Sequence, residues 1–127
     1  MIALLGKRVR PFLNTPHEYL KAQGFAAQIL AVVSNDIAWD LDSAQVAIVE
    51  VDDTATLQNP TNQRAGFTYI LVATQGADGD ETLAFGAAYL WPGGVAPTLT
   101  LGAGAIDIFT FISDGTNMLG MAAQDFQ

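Results

Sequence analysis

The sequence predicts a mainly β protein, with a β-sandwich or jelly-roll-like body of about eight strands behind an extended N-terminal arm and one short helix. From residue 25 onward, apolar residues tend to recur with a period of two, as they do in half-buried strands. Turn-forming residues separate these runs about every 10 residues, which is typical of a sandwich. We therefore expect residues 1–24 to form the arm and helix, and residues 25–127 to form the β-sandwich domain.

The first 24 residues lack this alternation. Residues 1–14 join a short apolar start to a basic cluster, and an exposed run of this kind marks a contact surface. The residues of this arm expected to bind a partner are Leu4, Leu5, Lys7, Arg8, Arg10 and Phe12. A helix is predicted over residues 16–23, because Thr15 can cap it, Pro16 suits its first position and Glu18 completes a capping box.

The first part of the β body is predicted to form strands separated by polar turns. In the second of these strands, Ile37, Trp39 and Leu41 alternate with smaller or polar residues, so one face should be buried. In residues 67–74 both faces are apolar, which indicates a central strand. A turn is expected at Asn35-Asp36. The predicted strands are residues 26–34, 37–41, 46–51, 67–74 and 82–85.

Turn chemistry dominates the C-terminal third. Trp91-Pro92-Gly93-Gly94 must form a turn, because Pro92 lacks an N–H and two successive glycines allow positive φ. Asp114-Gly115 is expected to be a hairpin turn. The structural turn residues are therefore Pro92, Gly93, Gly94, Asp114 and Gly115. The strands expected around these turns are residues 98–101, 105–113 and 117–122.

The sequence offers no catalytic constellation, and we expect neither an enzyme nor a cofactor. His17 is the sole histidine, there is no cysteine, and the three serines lie beside predicted turns. The acid pairs Asp40/Asp42 and Asp52/Asp53 could in principle act on a glycan. However, Asp40 and Asp42 are expected on the outer face of a strand, where charges serve solubility.

Two binding alternatives stay open at this stage. Asp78, Asp80 and Glu81 could offer oxygens to calcium, although the spacing of an EF-hand is absent and Asp78-Gly79 also fits a turn. We expect a turn and no metal. Trp39 and Trp91 could stack on a sugar, but each is more often a core or interface residue.

Charge and hydropathy limit the classes of partner. The formal net charge is −8, and four of the five basic residues fall within the first 21 positions. A nucleic-acid partner is therefore not expected, since such proteins present a basic face. No apolar run approaches the length of a membrane span, so no membrane partner is expected either. Half of the residues are hydrophobic and only 14% are charged, which favours a surface covered in an assembly.

An ordered set of residues in the last two thirds of the chain carries a resemblance. It comprises Leu57, Asn59-Pro60-Thr61-Asn62, Gly66, Gln75, Trp91-Pro92-Gly93-Gly94, Pro97-Thr98-Leu99, Ile106-Asp107-Ile108 and Ser113-Asp114-Gly115-Thr116-Asn117. This set resembles a β domain of tailed-bacteriophage virion proteins, found in capsid decoration (cement), tail-fibre and baseplate chains. The resemblance covers roughly residues 45–127. It departs at Gly76 and Met118, where that family often has Asp and Trp.

The resemblance implies a structural role and carries over no catalytic residue. We expect a capsid decoration protein that is bound to the outer capsid surface through its N-terminal arm. Its partners would be the major capsid protein and neighbouring copies of itself, and the resemblance implies a homotrimer. The protein would be made in the bacterial cytoplasm and reside in the virion. The alternative is a receptor- or carbohydrate-binding module of a tail fibre or baseplate.

Overall fold

The computed structural model describes residues 26–127, which form nine β strands and a single turn of 3₁₀ helix. The prediction of a mainly β body is confirmed. The arm and the helix expected over residues 16–23 lie outside the described residues. The strands are β1 (Gln28–Leu30), β2 (Asp36–Ile37), β3 (Val46–Val51), β4 (Ala55–Leu57), β5 (Thr68–Gln75), β6 (Leu83–Phe85), β7 (Tyr89–Leu90), β8 (Ile106–Ser113) and β9 (Met118–Phe126).

The strands form two sheets, and the first six strands alternate between them. The six-stranded sheet has the order β1-β3-β5-β8-β9-β7, and the three-stranded sheet has the order β2-β4-β6. All four pairs among these first six strands are parallel. The chain therefore coils around the core three times and adds one strand to each sheet on every turn. Jelly-roll strands run antiparallel, so this half of the body departs from the expected arrangement.

The C-terminal part of the six-stranded sheet is antiparallel. β8 pairs with β5 on one side and with β9 on the other, and the short β7 lies parallel to β9 at the sheet edge. β5 lies between β3 and β8, which confirms the prediction of a central strand. The parallel coil and the antiparallel hairpin thus meet at β5.

One hydrophobic core joins the two sheets. The six-stranded sheet contributes the residues that alternate inward on β3, β5 and β8, such as Val49, Leu71 and Phe109, and the three-stranded sheet contributes Ile37 and Leu57; all five are fully buried. Ile37, Trp39 and Leu41 are buried, as the alternation over residues 37–41 predicts. Only Asp36–Ile37 forms a strand there. The core thus depends on inward alternation more than on strand length.

Several predicted elements differ from the structure. The first strand is limited to Gln28–Leu30, and the turn after it lies at Ser34-Asn35, one residue earlier than expected, with both residues at positive φ. The strand expected over residues 98–101 is wrong. Leu99 is buried there as expected, but the Thr100 N–H donates to the Asp107 side chain instead of to a neighbouring strand. β4 and β7 were not predicted, because strands of two or three residues give almost no periodic signal.

Candidate functional site

The six arm residues expected to bind a partner lie outside the described residues, so the structure gives no contacts for them. They are Leu4, Leu5, Lys7, Arg8, Arg10 and Phe12. The sequence does show that charge is distributed unevenly along the chain. Residues 1–25 contain four basic residues and one acidic residue, and residues 26–127 contain one basic and twelve acidic residues.

The turn expected after β7 is present. Pro92–Gly94 forms the single 3₁₀ turn, and the Gly94 N–H donates to the Trp91 carbonyl at 2.9 Å. Gly93 has φ 69° and Gly94 has φ 75°. Both values lie in the left-handed region that favours glycine. The turn follows Trp91 and sets the direction in which the chain continues after β7.

The loop between β8 and β9 is a hairpin connection built around Asp114. Its Oδ1 accepts hydrogen bonds from the N–H groups of Asn117 at 2.6 Å and Thr116 at 2.9 Å. These backbone donors hold the pKa of Asp114 below its usual range. Gly115 follows with φ 95°. The carboxylate of Asp114 therefore closes the turn.

Trp39 is not available for stacking on a ligand. Its side chain is 1% exposed and lies in the core. It meets the rings of Tyr69 and Phe111 edge to face, with centroids 6.3 and 6.1 Å away. The interpretation of Trp39 as a possible sugar platform is therefore wrong, because its alternation with Ile37 and Leu41 buries it.

Trp91 is partly buried and anchored by other aromatic rings. Its ring lies 4.8 Å from Phe85 and 5.5 Å from Phe111, edge to face in both cases. It also borders a surface groove of about 370 Å³. The side chains lining this groove are apolar except for that of Thr110. A sugar site needs several placed polar groups, so the groove is better suited to an apolar contact.

The acid pair Asp40/Asp42 is engaged in structural contacts. The Asn62 amide and the Asp42 N–H donate to Oδ1 of Asp40, and together they hold the pKa of Asp40 below its usual range. Asp42 forms a 3.0 Å ion pair with Arg64. A glycosidase needs one carboxyl group with a raised pKa as its general acid. Asp40 is shifted in the opposite direction.

The acidic loop after β5 connects the two sheets. Asp78-Gly79 forms a turn, but the chain crosses there to β6 in the other sheet and makes no hairpin. The Glu81 carboxylate accepts a hydrogen bond from the Thr54 hydroxyl at 3.2 Å. Within residues 26–127, no three His, Asp or Glu side chains are grouped in a way that could hold a metal ion.

Two buried polar residues, which the sequence analysis named only as part of the family resemblance, organise the loops at this end of the sheet. The Gln75 amide donates to the carbonyls of Glu81 and Thr100, and its oxygen accepts from the Glu81 N–H. The fully buried Asp107 accepts from the N–H groups of Thr100 and Asp125, and from the Gln124 amide. The sequence signal that could have identified these two residues is a polar residue at an inward-facing position of a predicted strand that is otherwise apolar.

The pKa of Asp107 reflects a competition. Burial acts to raise it, and the hydrogen bonds from Gln124, Asp125 and Thr100 outweigh burial and bring it below the usual range. The carboxylate is therefore ionised, buried and fully engaged with donors. Such a group stabilises structure and is not free to exchange protons with a substrate.

The most extensive functional candidate is the outer face of the six-stranded sheet, the face that points away from the core. It is formed by the residues that alternate with the buried ones on β3, β5, β8 and β9, together with an edge residue from β1. Its large apolar members are Ile29, Val46, Ile48, Ile70, Val72, Ile106, Ile108, Ile112, Leu119 and Met121. A continuous apolar face of this kind marks a contact surface.

Comparison with protein-family models, curated proteins and solved structures finds no match to this chain. Among residues 26–127 no helix is long and apolar enough to cross a membrane.

Proposed function

We propose that this chain is a non-enzymatic bacteriophage virion structural protein, a capsid decoration protein that binds the outer capsid surface. The observation that carries this proposal is the apolar outer face of the six-stranded sheet. A protein that works alone in water places polar residues on the open face of a sheet, whereas a subunit of an assembly keeps apolar residues there. The family resemblance supplies the virion as the assembly.

The arm is assigned the contact with the capsid. Residues 1–14 contain three basic residues and several large apolar residues, ahead of a strongly acidic body. A segment of this composition suits an acidic partner surface with apolar pockets. We assign Lys7, Arg8 and Arg10 to the electrostatic part of this contact, and Leu4, Leu5 and Phe12 to the apolar part.

The body is assigned the role of a rigid platform. We propose that its two layers form a sandwich-like unit that projects from the shell, with neighbouring copies in contact as a homotrimer. The aromatic cluster around Trp39 and Phe111 and the engaged carboxylates of Asp40 and Asp107 support a scaffold role, because they place the distinctive residues in packing and turns.

The test is binding of the full-length protein to capsids that lack it. Serine at Lys7, Arg8 and Arg10 should weaken capsid binding at least 10-fold, and the loss should shrink as salt rises, because exposed charges are screened. Serine at Lys21, outside the assigned contact, is the matched control. If the triple variant binds as tightly as the wild type, the arm has no part in the contact.

The second candidate is a receptor-binding module of a tail fibre or baseplate, and the groove beside Trp91 is the feature that favours it. Under this alternative, Trp91→Ala should abolish attachment to host cells and leave the melting temperature almost unchanged. Under the decoration proposal the same change lowers the melting temperature, because the ring packs on Phe85 and Phe111. Measuring both quantities on one variant separates the two candidates.

A further inference from the structure

The outer face of the six-stranded sheet is continuous from β1 through β3, β5 and β8 to β9. Ile29 on β1 pairs with Ile48 on β3, which pairs with Val72 on β5. Val72 in turn pairs with Ile108 on β8, and Ile108 pairs with Ala123 on β9. Residues paired in this way point to the same side of a sheet. A row of apolar side chains therefore crosses the whole face.

Much of this face is open to solvent in the part of the chain that the structure describes. Ile29 is 75% exposed, Ile112 is 49% exposed and Met121 is 62% exposed. The inner face of the same strands is already filled by the core. The sheet is thus apolar on both sides, a pattern found where both faces are covered.

The charges around the face indicate which partner covers it. Among its positions on β3, β5 and β8, only Glu50 is charged. Arg64, the one basic residue in residues 26–127, is paired with Asp42 and is not a member of the face. A charged partner would find a single charge on these strands, that of Glu50, and the basic arm would place most of its cations over isoleucines. A second copy presents the same largely uncharged surface and is complementary to it.

The size of the face fits contact between copies. The five strands that form the face lie about 4.8 Å apart and span about 19 Å, and the eight-residue strands β5 and β8 extend about 26 Å. The face therefore covers on the order of 500 Å² per copy, or about 1,000 Å² between two facing copies. This is about the minimum expected of a specific protein interface.

We propose that the outer face of the six-stranded sheet is the surface through which copies of this chain bind one another. The proposal deepens the proposed function and rests on it for the biological setting, since it assigns the self-contact to the sheet and leaves the arm for the capsid. In the proposed homotrimer, the row from Ile29 to Ile108 packs against the same face of the neighbouring copies around the three-fold axis.

The test is the oligomeric state of the full-length protein, measured by sedimentation velocity over a range of concentrations. The wild type should sediment as an oligomer at micromolar concentration. Ile108→Glu at the centre of the face should shift it to monomer and raise the dissociation constant at least 10-fold, because buried like charges repel. Leu101→Glu is the matched control, since Leu101 is 63% exposed in the loop before β8 and is not a member of the face, and it should sediment as the wild type does.

A second variant protects the test against misfolding. Ile29→Glu changes an edge residue that is 75% exposed, so it should weaken the contact while the far-UV circular dichroism stays that of the wild type. A wild type that stays monomeric at every concentration would overturn the inference. So would sedimentation of both sheet variants like the wild type.

Capsid binding by the same proteins separates this inference from the proposed function. A monomeric wild type that binds capsids would overturn the self-contact and leave the decoration role standing. The wild type could instead form an oligomer that Ile108→Glu disrupts and yet bind no capsid. That result would support the self-contact and contradict the decoration role. Loss of capsid binding in Ile108→Glu with a monomeric wild type would mean that the face contacts the capsid, which also overturns the inference.

Discussion

Replacing Asp107 with Asn should destabilise the body in a way that depends on pH. The buried carboxylate accepts hydrogen bonds from the Thr100 N–H at 2.7 Å, and from the Gln124 amide and the Asp125 N–H at 3.0 Å each. An Asn side chain keeps one acceptor oxygen and turns an NH₂ group toward a donor. One charge-assisted hydrogen bond is lost and the others weaken, which costs about 2–3 kcal/mol.

This cost is a large share of the about 5–15 kcal/mol that stabilises a domain of this size. At about 4 °C per kcal/mol, the melting temperature at pH 7 should fall by about 8–12 °C. Asp80→Asn, at an exposed position of the acidic loop, is the matched control and should change it little. Equal melting temperatures for wild type and Asp107→Asn at pH 7 would refute the reasoning.

The pH dependence gives a second check on the same carboxylate. The folded-state pKa of Asp107 is lowered from the unfolded value of about 3.9. Its contribution to the free energy of unfolding is therefore complete above pH 3.9 and is lost as the pH falls through the folded value. In urea unfolding, the difference between wild type and Asp107→Asn should narrow on acidification below pH 4. A constant difference would show that charge on Asp107 is not the cause.

Three further changes follow from the geometry. Gly120→Ala should cost about 1–3 kcal/mol in urea unfolding, because an added Cβ would lie 2.6 Å from a Trp91 ring atom and 2.8 Å from one of Phe111; an unchanged midpoint would contradict this close approach. A Cβ added at Gly93 meets no atom within 4 Å, so the loss expected for Gly93→Ala, about 1–2 kcal/mol, comes from the positive φ, and a fully stable variant would show that the turn tolerates a side chain. Adding a chelator should leave the melting temperature unchanged, whereas a rise that scales with free calcium would show that the loop from Asp78 to Glu81 binds it.

The local features of the fold were predictable from the sequence, and the path of the chain was not. The turn at Pro92–Gly94 and the hairpin at Asp114-Gly115 follow from residues that fix or free the backbone. The inward positions of Ile37, Trp39 and Leu41 follow from alternation. Alternation is the same in parallel and antiparallel strands, so it carries no information on the coil formed by the first six strands.

The outer face of the six-stranded sheet could not be predicted as a contact surface, because alternation does not show which side of a sheet is covered. Apolar residues on both sides of β5 predicted a central strand correctly, but they did not show that the second side is open. Exposure of Ile112 and Met121 depends on which elements cover the sheet, a tertiary property that no local pattern contains. The buried, hydrogen-bonded role of Asp107 was not predicted, because an inward acidic residue interrupts the apolar pattern and its donors are 7 to 18 residues away in the chain.

The location of the protein in an intact virus particle tests the central claim most directly. Electron cryomicroscopy of virions, with and without this protein, would reveal its density by difference. The decoration proposal predicts repeated density spread over the outer surface of the capsid shell. Density confined to the tail, or no difference between the two particles, would contradict it.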